Sequence, residues 1–470
     1  MSTLQVLKCL HRDTKAEVFL VGGYVRDLLR NKSNDDIDVV VRGLSLHRIK
    51  KYLADKAKVK QVRLSKTNDN LDVDVLLVKA HGDTVEAQVV LPRRGKKQIP
   101  NSHNTLRQDS KYRDFKLNAL YLPIDYTSKK DVIDLVGGKE DIAKRVISSN
   151  GSAVERIKES PIRMMRAIAL AARLGYTIDQ EILDAIQENK SLIEKCPIEA
   201  VREKLDEILL SRQPSKYIRL LSKVGLLAYI LPELDKCVGV KQDRRFHKYD
   251  VFRHLIYTCD NTPPNVVLRL SGLLHDIGKV PTRREIKVQG KDNRVTFHKH
   301  EMVGVKLTRT ALKRLRYDNE TIKQVLNLVK NHMYHYTREW TDSAVRKFIK
   351  RSGMTPEFLR EDTISEFPLF QLRMAERAGN GYKSEKTTER QRDFEKRILD
   401  VRRQGQALDI KDLDIDGHAI MDVFKIKPGV EVGRILSFLL EAVLEEPEKN
   451  SRMELLKLTT EYICNSGGNE

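Results

Sequence analysis

The apolar run Val18 to Val21 stops at Gly22-Gly23, and from Tyr24 to Arg30 the apolar positions recur at helical spacing, which predicts a strand, a tight turn and a helix. The next run, Ile37 to Val41, alternates. Ile37, Val39 and Val41 point into a core, and Asp36 and Asp38 share the opposite face. The pattern then predicts a basic helix over 45–57, alternating segments at 71–78 and 85–91, and a strand-turn-helix over 131–147. Beyond residue 155 the period is mostly helical: a helix over 155–176 with Pro161 in its start, another over 198–210, and a highly charged helical stretch over 386–403.

Composition narrows this picture. A chain of 470 residues has room for three or four domains, and 40% hydrophobic with 32% charged residues suits a soluble, largely helical protein. No apolar run approaches the roughly 18 to 20 residues needed to cross a bilayer. The first fifteen residues lack the apolar core of a signal peptide, so the sequence predicts a cytosolic protein with no membrane partner. Lys and Arg number 86 against 66 Asp and Glu, a net charge of +20 that points to a polyanionic partner. Five cysteines without a CxxC pair read as reduced thiols.

The candidate chemistry begins at the glycine turn. Two residues without side chains let a triphosphate come close to the backbone, and the first helical turn and Arg26 favour an anion there. Asp36 and Asp38 on one strand face can clamp divalent metals between an attacking hydroxyl and a leaving pyrophosphate. Gly-Gly alone suits an ordinary turn and Asp-x-Asp alone a solvated strand. In this order and spacing the segment resembles the active-site signature of class II tRNA nucleotidyltransferases and bacterial poly(A) polymerases. Asp72, Asp74 and Glu86 are candidates for a third carboxylate, with Asp72 and Asp74 favoured as decoys because no glycine turn precedes them. Residues 93–110 read as a mobile basic loop, which in the family helps to switch nucleotide choice.

The segment Tyr112 to Leu120 resembles the family motif RRDFTxNAL, which implies nucleotide-binding roles for Arg113, Asp114 and Asn118; Tyr112 and Lys116 depart from it. Glu159-Ser160-Pro161-Ile162-Arg163 stands where the family has E-D-x-x-R, whose Asp and Arg pair with the base of the incoming CTP or ATP. Here Ser160 replaces the aspartate, and Arg163 and Arg166 share one helix face. Ala200 stands where an arginine is expected, with Arg202 and Glu203 kept.

Further along, His254, His275-Asp276, His300 and His332 supply imidazole and carboxylate ligands of the kind that hold Ni, Mn, Co, Fe or Zn. Their spacing resembles the HD phosphohydrolase superfamily, which implies that Lys279 faces phosphate and that Glu376 stands where an aspartate ligand is usual.

The resemblance implies an α+β fold, a small mixed-sheet nucleotidyltransferase head (1–150) followed by an all-helical neck that selects the nucleotide (151–235), an HD domain (236–385) and a body and tail that bind tRNA (386–470). It implies addition of CMP and AMP to the 3′ end of tRNA. The nucleotide is held by Gly22, Gly23, Arg26, Arg113, Asp114, Asn118, Arg163 and Arg166, Mg²⁺ by Asp36 and Asp38, and a transition metal by the HD residues. Three alternatives stay open: a poly(A) polymerase, a partial CC- or A-adding enzyme, and an HD phosphohydrolase with a degenerate head. The segment over 58–66 lacks the GRRF-like run common in the polymerases, which favours tRNA.

Overall fold

Seven strands form one mixed sheet: β1 Glu17–Val21, β2 Ile37–Arg42, β3 Ala57–Leu64, β4 Val73–Ala80, β5 Ala87–Val90, β6 Leu120–Pro123 and β7 Ile133–Asp134, in the order β3-β4-β5-β2-β1-β6-β7. In the computed structural model the described residues are 1–64, 73–94, 97–98, 106–243, 245, 247–286, 294–382, 386–404 and 408–466. Most of the expected basic loop over 93–110, and Asp72, lie outside them.

Strand alternation decides what each sheet face does. Val18, Leu20, Ile37, Val39, Val41, Leu76, Val78 and Val89 fall on one face and share a core with Val6, Leu7 and Leu10 of the helix Thr3–Thr14. The other face carries Phe19, Val21, Val40 and Tyr121 in a smaller cluster. Asp38 pairs in register with Val21 and Gln88, so it points to this second face. Register puts Asp74 on the first face, in line with Leu76, Val89 and Val39, pointing away from Asp38. Glu86 is exposed and precedes β5.

Two elements differ from expectation. The helix predicted over 45–57 ends at Leu53, and β3 begins at Ala57 as an edge strand whose Lys58, Lys60 and Gln61 suit an unpaired sheet border. The helix predicted over 155–176 is two helices, Ala153–Glu159 and Arg163–Leu174. Proline disfavours the helical conformation in the residue before it, and Ser160 is extended at φ −148°, ψ 91°.

The chain divides into two units. The first is Met1–Lys236 with Ala311–Tyr317; the second is Cys237–Thr310 with Asp318–Glu470. In the first, the sheet is followed by helices including Arg163–Leu174 and Ile198–Leu209, which pack on each other. The second is helical, with one aromatic core around Tyr334, Phe348, Phe370 and Phe394 and another around Ile435, Leu439, Val443 and Leu455. It is not wholly helical: Arg284–Ile286 and Arg294–Thr296 pair as an antiparallel ribbon. Likewise, Thr177–Ile178 pairs in parallel with Val146–Ile147.

Candidate functional site

A cavity of about 310 Å³ opens in the first unit, on the Asp38 face of the sheet. It is lined by Gly22, Gly23, Asp36, Asp38, Arg113, Asp114, Asn118, Arg163 and Arg166, and Arg26 reaches its wall. The strand, the glycine bend, the motif segment and the helix Arg163–Leu174 thus bring every residue expected to bind metal or nucleotide in the head and neck to one place.

Gly22 adopts φ +68°, and a Cβ added to it would sit 2.8 Å from Asp38 Oδ2. Only a residue without a side chain allows both that backbone and that approach. Gly22→Ala is therefore expected to lower the transfer rate at least tenfold with a fall in stability of about 1 kcal/mol, checked by nucleotide incorporation and thermal melting of the same preparation.

Five of the six cations that line the cavity pair with carboxylates. Arg26 is buried; its Nε and Nη2 donate to Asp27 at 3.1 and 2.6 Å, and its Nη1 donates to Asn118 Oδ1 at 2.8 Å. Its guanidinium is part of the scaffold and fixes Asn118 rather than standing free beside the glycine bend. Asp114 pairs with Arg166 at 2.5 Å and accepts from the Phe115 backbone N–H at 2.8 Å. Arg113 donates to Asp109 at 3.0 Å, and the Tyr121 hydroxyl donates to the same carboxylate at 2.6 Å. Arg163 donates to Glu159 and to the backbone carbonyls of Arg156 and Tyr112, tying the helix to the motif segment. Ser160 is buried and is not among the cavity-lining residues. Arg173, Lys204 and Glu207 do line the cavity, with Lys204 and Glu207 paired at 2.5 Å. Arg173 is seven residues beyond Arg166 and so on its helix face, a signal the sequence contained; nothing local marked Lys204 or Glu207.

Burial, then the neighbouring Asp36 charge, pushes the Asp38 carboxyl up to about 6 from an ordinary 3.8, against the pull of Arg113 and Arg166. A half-buried carboxylate, Asp38, beside an exposed one, Asp36, whose charge disfavours its own, suits a hard divalent cation with oxygen ligands. Without metal, folded Asp38 holds its proton up to about pH 6, so its contribution to stability is present at low pH and lost as pH rises through 6. A metal ion held by Asp38 would have to displace that proton, so the Mg²⁺ concentration for half-maximal incorporation is expected to rise towards about tenfold per unit as pH falls below 6. Magnesium titrations at pH 5.0 to 7.5 check this.

In the second unit, His254, His275, His300 and His332 surround Asp276, all buried. Their Nε2 atoms lie 3.6, 3.3, 3.0 and 3.5 Å from its carboxylate oxygens. The Nδ1 atoms of His275, His300 and His332 face the carbonyls of Gly272, Phe297 and Val329 at 3.0, 2.8 and 2.7 Å. A carbonyl only accepts, so each Nδ1 carries the proton and each Nε2 turns a lone pair inward. His300 Nε2, His332 Nε2 and Asp276 Oδ1 accordingly have no hydrogen-bond partner. Burial, reinforced by His275, pulls the His254 imidazole down to about 3, so it is neutral at pH 7. Converging lone pairs of nitrogen and oxygen fit a first-row transition metal. Lys279 does not stand clear for a substrate phosphate: it is buried, 2.6 Å from Asp276 Oδ2, and donates to Gln242 at 2.7 Å. Glu376 pairs with Arg373 at 2.7 Å.

Residues 18–148 match the model of the poly A polymerase head domain, 175–238 that of a probable RNA and SrmB-binding site of polymerase A, and 250–401 that of the HD domain. A CC-adding tRNA nucleotidyltransferase from Thermus thermophilus is 28% identical, over 92% of this chain and 91% of that protein. The chain belongs to the class II tRNA nucleotidyltransferase and bacterial poly(A) polymerase family. An A-adding tRNA nucleotidyltransferase from Deinococcus radiodurans is 29% identical, over 54% of this chain and 58% of that protein. The fold is that of a CCA-adding enzyme from Bacillus stearothermophilus solved with CTP: TM-score 0.65, 18% identity, covering 100% of this chain and 98% of that one. Membership of this nucleotidyltransferase family implies a divalent metal ion. Among the described residues no helix is long and apolar enough to cross a membrane.

Proposed function

We propose that the chain adds CMP and AMP, taken from CTP and ATP, to the 3′ end of tRNA. The observation that carries this reading is the acidic pair beneath Gly22, in a cavity whose lining includes six cationic side chains: Arg26, Arg113, Arg163, Arg166, Arg173 and Lys204. A nucleoside triphosphate is the ligand that needs both signs of charge in one cavity. In this reading Asp36 and Asp38 hold Mg²⁺. Magnesium held there would supply the charge that lowers the pKa of the RNA 3′-hydroxyl and stabilises the leaving pyrophosphate.

The remaining groups orient. Gly22 and Gly23 leave room for the phosphates, Arg113 and Arg166 meet their charge, Asp114 aims Arg166, and Arg26 steadies Asn118. Arg163 joins the neck to the motif segment, so that nucleotide choice and phosphate binding share one wall. The RNA 3′-oxygen attacks the α-phosphorus; that P–O bond forms as the bond to the bridging oxygen breaks, and pyrophosphate departs. The +20 net charge supports tRNA as the polyanionic partner.

The five-residue cluster of the second unit is read as a site for Ni, Mn, Co, Fe or Zn that hydrolyses phosphate esters, supported by the orphaned inward-facing acceptors. A partial, CC-adding activity is a second reading, favoured by the Thermus thermophilus relative and by Ser160, which brings no carboxylate to the cavity. Incubating the protein with tRNA ending before CCA and with each labelled triphosphate, then sequencing the products, separates the readings. Ordered C, C, A is expected. C, C without A would select the partial enzyme, a long A run the polymerase, and no incorporation would reject transfer.

A further inference from the structure

Outside both sites, a pocket of about 180 Å³ lies between the helices Pro368–Asn380 and Lys386–Arg403 and the segment that follows His332. Three guanidinium groups line it, Arg373, Arg377 and Arg390, above the rings of Tyr334, Tyr336 and Phe394. Arg373 and Arg377 are four residues apart and project from one helix face. The Nε of Arg377 is buried without a hydrogen-bond partner. Burial, then the like charge of Arg373, pulls the Arg377 guanidinium below its ordinary value. Among the described residues the carboxylate paired within this group is Glu376, which holds Arg373 from the side of the histidine cluster. Three cations drawn together over an aromatic floor, one with an orphaned donor, form a site suited to an anion, and the guanidinium fork matches phosphate oxygens in pairs.

We propose that this pocket binds a phosphoryl group, and that the bound phosphate competes with Glu376 for Arg373. Glu376 is partly buried and interacts electrostatically with His275, His332 and His254. A phosphate that takes over Arg373 leaves this carboxylate unpaired beside the imidazoles, so occupancy of the pocket changes the charge that the cluster feels. The pocket itself requires no metal in the cluster.

Trp340 is the only tryptophan of the chain and packs at 5.8 Å from Tyr336 and 5.5 Å from Phe394, so its emission reports on the pocket. The full-length protein is titrated in chelator with inorganic phosphate and, separately, with ATP, following Trp340 emission and heat of binding. Saturable binding of phosphate is expected. Arg377→Gln with Arg390→Gln should weaken it by at least about tenfold, and Glu376→Gln, which removes the competitor, should tighten it several-fold. Thermal melting shows that each variant is folded. ATP saturating the Trp340 signal at lower concentration than phosphate assigns the pocket to a nucleotide; equal or weaker ATP binding assigns it to the free anion. Absence of saturable phosphate binding by both readouts, unchanged affinity in the double arginine variant, or weaker binding in Glu376→Gln would overturn the proposal.

Discussion

Replacing Asp36 and Asp38 together by asparagine is expected to lower nucleotide incorporation by about 10³-fold or more, the several kcal/mol that metal clamping of an attacking and a leaving oxygen supplies. The two amides keep the shape of the carboxylates and remove the charge that holds a cation. The variant should fold: Asp38 is already destabilised as an anion by burial and by Asp36, so melting without metal should not fall at pH 7, above the value of about 6 to which its carboxyl is pushed. tRNA affinity measured by gel shift should change little, because the cations around the cavity are untouched. Undiminished extension of RNA ends would remove the basis of the proposed function.

How far the sequence carried this site depends on how local each feature is. The glycine bend and the acidic strand are set by residues close together in the chain, and alternation alone assigned Ile37, Val39 and Val41 to the core and Asp38 to the other face. The mixed-sheet head and the largely helical remainder were expected from the family resemblance, which rests on those same local motifs. Features made by distant partners were not. β3 is an edge strand whose only partner among the described residues is β4, so its pattern is weak, and it was hidden behind the basic helix. Arg26 reads as a free cation until Asp27 and Asn118, the latter 92 residues away, are seen to engage it. Lys279 is the same case: its pairing with Asp276 is one helical turn away, but its contact with Gln242 comes from 37 residues upstream.

That pairing makes Asp276→Asn the second large effect. Asp276 is the one carboxylate that all four imidazoles and Lys279 face. Burial alone would raise its carboxyl, and the Lys279 ammonium holds it well below 3.8, so its contribution to stability is present at neutral pH and lost only in acid. Asparagine should therefore act twice. Affinity for Mn²⁺ or Co²⁺ should fall about 10²-fold or more, since the ligand that bridges the two halves of the cluster is gone. The metal-free unit should also lose about 3 kcal/mol, because Lys279 is left as a buried cation without its partner. The two effects separate in the double variant Asp276→Asn, Lys279→Met: removing the stranded charge should restore most of the melting temperature, while metal binding, followed by calorimetry, stays lost. A double variant that regains metal affinity would mean that Lys279, rather than the missing carboxylate, had been excluding the ion. Nucleotide incorporation serves as the internal control, because the residues proposed for it all lie in the first unit.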